Sequence, residues 1–227
     1  MKRSTINQHL RAADEFIRSF GYVLPPFAYL SPADMAARIG DMPSVRDARL
    51  GWDLTDYGEG RFDDMGLFLF TTRNGRLSDL RSGQGMCYAE KIMISRQDQL
   101  SPMHRHIVKA EDIINRGGAT LAIKMYESDA DGNIDRDVDV TVCVDGRVHR
   151  QAAGEVLTLA PGESVTLMPG NWHAFWGEGG DVLIGEVSTV NDDLTDNVFE
   201  QPISRFGDVE EDEAPHWLLV SDYDTWL

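Results

Sequence analysis

The chain has 227 residues, 42% hydrophobic and 26% charged, which is long enough for an ample core and too apolar for a disordered chain. Its formal net charge of −17 sets long-range repulsion against nucleic acid and anionic membrane, and favours a neutral or cationic small molecule as ligand. No stretch has the apolar length of a membrane span, no signal core follows Met1-Lys2-Arg3, and Cys87 and Cys143 lack C-x-x-C spacing, so a cytoplasmic protein with reduced thiols is expected.

Ile6, Leu10, Ala13, Ile17 and Phe20 recur at helical spacing and predict an amphipathic helix that ends at Gly21. An extended connector over Tyr22 to Phe27 leads to Ser31-Pro32-Ala33-Asp34. There a serine cap and a proline at the first helical position start a short second helix that stops near Gly40. From Trp52 the pattern changes to β: Gly66 to Thr72 reads as a strand, and Asn74-Gly75 as a two-residue hairpin turn. Further strands are predicted over Tyr88 to Ile94, Leu121 to Tyr126, Val138 to Val144, Val156 to Leu159, Ser164 to Met168 and Val182 to Val187. Short strands separated by Gly, Asp and Pro turns, without βαβ alternation, imply a sandwich or barrel. The best fit is a mainly β jelly roll with the N-terminal helices packed outside it. A single domain over 1–227 is expected, with a helical extension over about 1–50 and a barrel over about 52–227.

Two acidic segments invite a metal reading and do not sustain it. In Asp129-Ala130-Asp131-Gly132-Asn133 the glycine falls fourth instead of sixth and the terminal glutamate of a calcium loop is missing, so a hairpin turn is expected. Asp208 to Glu213 reads as a solvated acidic segment, and His9, His149 and His216 have no ligand spacing.

His104 and His106 are different. On a strand, side chains at i and i+2 leave from one face, so the two imidazoles can hold one metal between them. Glu111 follows five residues later, and Pro169-Gly170-Asn171-Trp172-His173 offers a third imidazole from another strand. Three imidazoles and a carboxylate form a borderline N/O shell for one divalent ion such as Mn, Fe, Co, Ni or Zn.

The spacing His-x-His-x4-Glu-x6-Gly, closing at Gly118 and followed by His173, resembles the two motifs of the cupin superfamily. Asp98 stands where the first motif has a glycine, and no Asn follows His173. Further strings resemble the D-lyxose isomerase family of cupins. They are Lys109-Ala110-Glu111-Asp112-Ile113-Ile114-Asn115-Arg116-Gly117-Gly118, then Gly185-Glu186-Val187-Ser188-Thr189-Val190-Asn191-Asp192-Asp193-Leu194-Thr195-Asp196-Asn197, and Ile203-Ser204-Arg205-Phe206 with Glu210-Glu211-Asp212-Glu213-Ala214-Pro215. Val198 stands where some relatives carry a basic residue.

The resemblance implies a double-stranded β-helix barrel in which His104, His106, Glu111 and His173 line the interior, with Mn the first choice of metal, and a homodimer. It implies conversion of D-lyxose to D-xylulose, with D-mannose to D-fructose as a related activity. In Asp181 to Ser188, alternation puts Val182, Ile184, Glu186 and Ser188 on one face, and a carboxylate there meets either solvent or a polar interior. Inside a barrel Glu186 is the first candidate base, with Lys109, in the turn between the His pair and Glu111, as its partner; their order can be reversed. Asp192, Asp193 and Asp196 are candidates for hydrogen bonds to sugar hydroxyls or for turn and cap positions, and Arg205 for a sugar contact or a loop anchor. A cupin non-haem dioxygenase and a non-catalytic sugar-binding cupin are the alternatives.

Overall fold

The helical spacing at the N-terminus forms α1 (Arg3–Ser19), which turns Ile6, Leu10, Ala13 and Ile17 to a buried face and is followed, after Phe20, by Gly21 at φ +74°. Phe20, fifth in the same pattern, is 40% exposed and lies past the last helical residue, with its ring against Gly117. The computed structural model, which describes residues 1–227, continues with a 3₁₀ turn (Pro26–Tyr29), α2 (Pro32–Arg38) and α3 (Pro43–Asp47). Ser31 caps α2 as expected, its hydroxyl accepting the Asp34 N–H at 3.1 Å.

Twelve strands follow, joined by antiparallel pairing: β1 (Gly51–Thr55), β2 (Leu67–Arg73), β3 (Tyr88–Ser95), β4 (Ser101–His106), β5 (Glu111–Ser128), β6 (Ile134–Asp135), β7 (Val140–Val144), β8 (Arg147–Gln151), β9 (Val156–Leu159), β10 (Ser164–Leu167), β11 (Trp172–Thr189) and β12 (Asn197–Phe199). The main path runs β1-β2-β3-β11-β5-β10-β7-β8, with β4 pairing β11 and β12. Helix α4 (Leu77–Ser82) lies between β2 and β3, and α5 (Tyr223–Trp226) closes the chain. The architecture is a mainly β, antiparallel jelly-roll barrel with helices outside, as expected. No helix is long and apolar enough to cross a membrane.

Strands β2, β3 and β11 are buried on both faces, which is why β2 reads as an unbroken apolar run. Leu67, Leu69, Met93 and Ile184 point into the barrel, where they join Ile113, Ile123, Val165 and Phe175 in one core. Phe68, Phe70, Ile92, Ile94 and Leu183 point outward, where Ile6, Leu10, Ala13 and Ile17 of α1 cover them. Burial of each such side chain is worth roughly 1.5–3 kcal/mol, so α1 is held by packing far more than by helix propensity.

Two expectations are corrected. Asn74-Gly75 is not a hairpin turn. The Asn74 side chain donates to the carbonyls of Ala48 (3.2 Å) and Asn191 (2.9 Å) and accepts from Asn191 N (2.9 Å), so it ties two loops while the chain runs on through α4 before β3. Strands β5 and β11 each span 18 residues, where the pattern predicted only separate short pieces. Their alternation is broken by register shifts near Gly118, whose φ of +95° and approach of any Cβ to within 2.2 Å of Asp181 O require glycine. The segment Asp208 to Glu213 keeps its acidic residues exposed, as expected, and part of it also reaches the start of α1. Lys2, at the N-cap of α1, provides no side-chain cap, and Asp212 does so from the far end of the sequence, accepting Ser4 N–H at 2.9 Å and Ser4 O–H at 2.7 Å. Acidic groups there also complement the helix dipole.

Beside this cap, Arg3 is fully buried and forks between Glu211 (2.6 and 2.9 Å) and Asp222 (2.7 and 2.9 Å). Glu211 is largely solvated, whereas Asp222 is buried, so Asp222 dominates the energetics. Arg3→Met leaves that carboxylate without its cation and is expected to cost about 3–5 kcal/mol, read as a lowered denaturation midpoint. A loss below about 1 kcal/mol would show that the clasp between the two ends is held by packing alone.

Candidate functional site

The paired imidazoles sit where the pleat requires. His104 and His106 leave the same face of β4, and β11 lays His173 directly across from His104. The His104 ring centroid lies 4.1 Å from that of His173 and 5.2 Å from that of His106, and one nitrogen from each ring falls within 4.8 Å of the others. Two tautomers follow from the backbone. His104 Nδ1 lies 2.8 Å from Pro102 O and His173 Nδ1 lies 3.1 Å from Asn171 O, so each Nδ1 carries the donated hydrogen and leaves Nε2 as a free lone pair. Burial, then the neighbouring imidazoles, push His104 well below the usual histidine range; burial and the Lys109 charge lower His106 as well.

Glu111 opens β5 beside this cluster. Its Oε1 is buried without a hydrogen-bond partner, 3.2 Å from both His106 Nε2 and His173 Nε2, while Oε2 takes an ion pair from Lys109 Nζ at 2.6 Å. Burial alone would raise this carboxyl, but the Lys109 charge and His106 hold it well below the usual range. Deprotonated oxygen and neutral imidazole nitrogens converging on a buried, orphaned acceptor fit a divalent transition metal, and the three-His group can hold one.

From Lys109 a chain of alternating charges crosses the cavity. Lys109 Nζ lies 2.9 Å from Glu186 Oε1, Lys91 Nζ lies 3.4 Å from the same oxygen and 3.9 Å from Asp193, and Arg205 bridges Asp193 (3.4 Å) and Asp53 (2.7 Å). Glu186 is only 3% exposed. Burial opposes its ionisation, yet Lys109 and Lys91 lower its pKa below the ordinary carboxylate value. Lys109 is raised despite burial, by Glu111 and Glu186, and so stays an ammonium. Asp193 is likewise held low against burial by Lys91 and Arg205. These groups line one partly open cavity. Apolar walls from Leu67, Met93, Phe175 and Phe199 lower the local dielectric and strengthen each of these interactions.

All four expected ligand residues, together with Lys109 and Glu186, meet in this cavity, as do Asp193 and Arg205. Asp192 and Asp196 do not line it. Asp192 accepts Leu194 N–H, Thr195 N–H and Thr195 O–H (3.1, 3.3 and 2.6 Å), an Asx turn, and Asp196 spends its carboxylate on the backbone of residues 107–109. Lys91, Tyr57 and Asp53 belong to the site without having been expected there. Lys91 had a readable signal: it stands between Ala89 and Met93 on the inward face of an apolar strand, the same anomaly that marks Glu186. Tyr57 had none, because its place depends on a left-handed backbone at φ +57° that brings its hydroxyl to Ser101 Oγ at 3.1 Å. Burial pushes this phenol up to about 12.

A family model described as D-lyxose isomerase matches residues 1–223. A D-lyxose/D-mannose isomerase from Serratia proteamaculans is 48% identical over 227 residues, covering 98% of each chain. One of the same description from Escherichia coli O157:H7 is 46% identical over 234 residues, again covering 98% of each. Among solved structures, the L-ribose isomerase of Acinetobacter sp. DL28 in complex with L-ribose aligns at a TM-score of 0.62 and 12% identity, over 92% of this chain and 98% of that one. The L-ribose isomerase of Geodermatophilus obscurus aligns at 0.62 and 14% identity with the same coverage, and at such identities the likeness concerns the fold.

Proposed function

Because the chain belongs to the D-lyxose isomerase family, we propose that the reaction of this aldose–ketose isomerase is the interconversion of D-lyxose with D-xylulose, and of D-mannose with D-fructose, by proton transfer through a cis-enediolate. The observation that carries this reading is Glu186, a buried carboxylate held ionised between two ammonium groups and facing the three-His cluster across one cavity.

His104, His106, His173 and Glu111 would hold one divalent ion, Mn first among Mn, Fe, Co, Ni and Zn. When bound, it supplies Lewis acidity toward vicinal sugar oxygens, worth several kcal/mol of charge stabilisation. The remaining work falls to the chain's own groups. Glu186 takes the proton from C2 and returns it to C1, on one face of the sugar. Lys109, kept protonated by Glu111 and Glu186, donates to O1 as negative charge grows there and recovers a proton from the O2 hydroxyl. Arg205 is suited to bind a distal hydroxyl, because its Nη1 is buried and has no partner within the protein. Asp193 holds that guanidinium and Lys91 in place. The apolar walls exclude water from the enediolate.

The test is a panel of aldoses supplied to protein stripped with chelator and reloaded with each of the five metals. Ketose is expected from D-lyxose and D-mannose without oxygen uptake; no ketose from either sugar with any metal would sink the proposal. Oxygen consumption would favour a dioxygenase, and tight sugar binding without turnover a sugar-binding cupin. Neither alternative has a use for the Lys109–Glu186 pair.

The route of the hydrogen is a separate prediction. Turnover in D₂O is expected to place deuterium at C1 of the ketose, in proportion to how fast protonated Glu186 exchanges with solvent. Complete retention of a C2 label at C1, with no solvent deuterium at any stage of the reaction, would favour a hydride shift.

A further inference from the structure

The loop between β11 and β12 carries a buried carboxylate that points away from the cavity. Asp196 Oδ1 accepts the backbone N–H groups of Ile107 (3.0 Å) and Val108 (2.7 Å), and Oδ2 that of Lys109 (3.0 Å). Its own carbonyl accepts Ile107 N–H a second time at 3.1 Å. Three consecutive amides converging on one carboxylate are charge-assisted bonds, and they fix the turn that joins His106 to Lys109. The same Oδ2 stands 3.8 Å from His106 Nδ1, a buried ring nitrogen with no hydrogen-bond partner. The other two imidazoles have theirs: His104 Nδ1 is held by Pro102 O and His173 Nδ1 by Asn171 O. An imidazole that binds metal through Nε2 needs an acceptor at Nδ1–H to fix its tautomer and raise its basicity.

We propose that Asp196 is a positioning residue for both halves of the chemistry: its carboxylate orients His106 toward the metal and holds the turn that presents Lys109 to Glu186. The inference rests on the metal-centre reading of the three-His cluster. The contact with His106, at 3.8 Å, is longer than a hydrogen bond, and a cation held at Nε2 would strengthen it by making Nδ1–H more acidic. By reciprocity, whatever factor Asp196 adds to metal affinity, bound metal adds to the stability of the clamp on residues 107–109.

The test begins with Mn²⁺ titrated into metal-free protein, with no sugar present. Asp196→Asn keeps the volume, removes the charge facing His106 and sets an NH₂ group against the backbone N–H groups. It is expected to weaken Mn²⁺ binding by about 10–100-fold and to lower kcat with KM within about twofold of wild type. Thr195→Ala, which loosens the same loop through its exposed contact with Asp192, is expected to leave Mn²⁺ affinity unchanged. A raised KM with normal kcat and affinity would make Asp196 a substrate contact and overturn the proposal, as would wild-type values throughout. Should the variant fail to fold, amide hydrogen exchange in the wild type decides. Ile107, Val108 and Lys109 are expected to exchange at least about tenfold more slowly when Mn²⁺ saturates the site, and exchange indifferent to metal overturns the proposal. A wild type that binds no Mn²⁺ would remove the metal centre itself, an outcome distinct from a wild type and an Asp196→Asn that bind it equally.

Discussion

Glu186→Gln is expected to retain the fold and the metal while kcat falls by roughly 10²–10⁴-fold, the usual contribution of a positioned acid or base. That is about 3–5 kcal/mol of transition-state stabilisation. The fold survives because neither flanking cation is stranded: Lys109 keeps Glu111 at 2.6 Å, and Lys91 keeps Asn191 at 2.7 Å with Asp193 beyond. The metal is expected to survive because Glu186 is neither in the three-His group nor among the residues proposed to hold the ion. Lys109→Met is expected to lower kcat as well, and to differ in its metal response, since Lys109 is bonded to Glu111. Exchange of the C2 proton of D-lyxose with solvent should vanish in Glu186→Gln together with turnover. Wild-type kcat at full metal occupancy would move proton transfer to another group, with Asp193 next in the same charge chain.

His173→Ala is expected to weaken metal binding by at least about 10²-fold, beyond the loss typical of an outer hydrogen-bond partner, and to abolish turnover at ordinary metal concentrations. The substitution removes a nitrogen donor contributed by β11, leaving His104 and His106 on β4 with Glu111. It also strands the carbonyl of Asn171, which accepts from His173 Nδ1, at about 1–3 kcal/mol. Metal analysis after dialysis and the thermal midpoint separate these effects. Free imidazole should restore part of the activity by entering the space left behind. Full occupancy in His173→Ala would mean that β4 and Glu111 hold the ion without β11, and the assignment of His173 would fail.

The pairing of His104 with His106 was legible because a strand returns to the same face every second residue, a local property of the backbone. Local too were the amphipathic face of α1 and the Ser31 cap of α2, each set within a few residues of itself. Glu186 was legible as a carboxylate sharing a strand face with Val182 and Ile184, facing either solvent or a polar interior, and Lys91 carries the same mark; the structure turns both inward. The hairpin expected at Asn74-Gly75 failed because a tertiary partner outbid local turn chemistry: Asn191, far along the chain, takes the Asn74 amide group.

The roles of the aspartates were decided only by the tertiary structure. Asp192, Asp193 and Asp196 look alike in a polar loop, yet one caps its own turn, one faces Lys91 and Arg205 in the cavity, and one clamps the turn between His106 and Lys109. Chain periodicity records which face of its own element a residue occupies. It holds no record of which distant backbone amides or ammonium groups arrive opposite, because that depends on the register between β3, β4, β5 and β11, and register is settled by closure of the whole barrel.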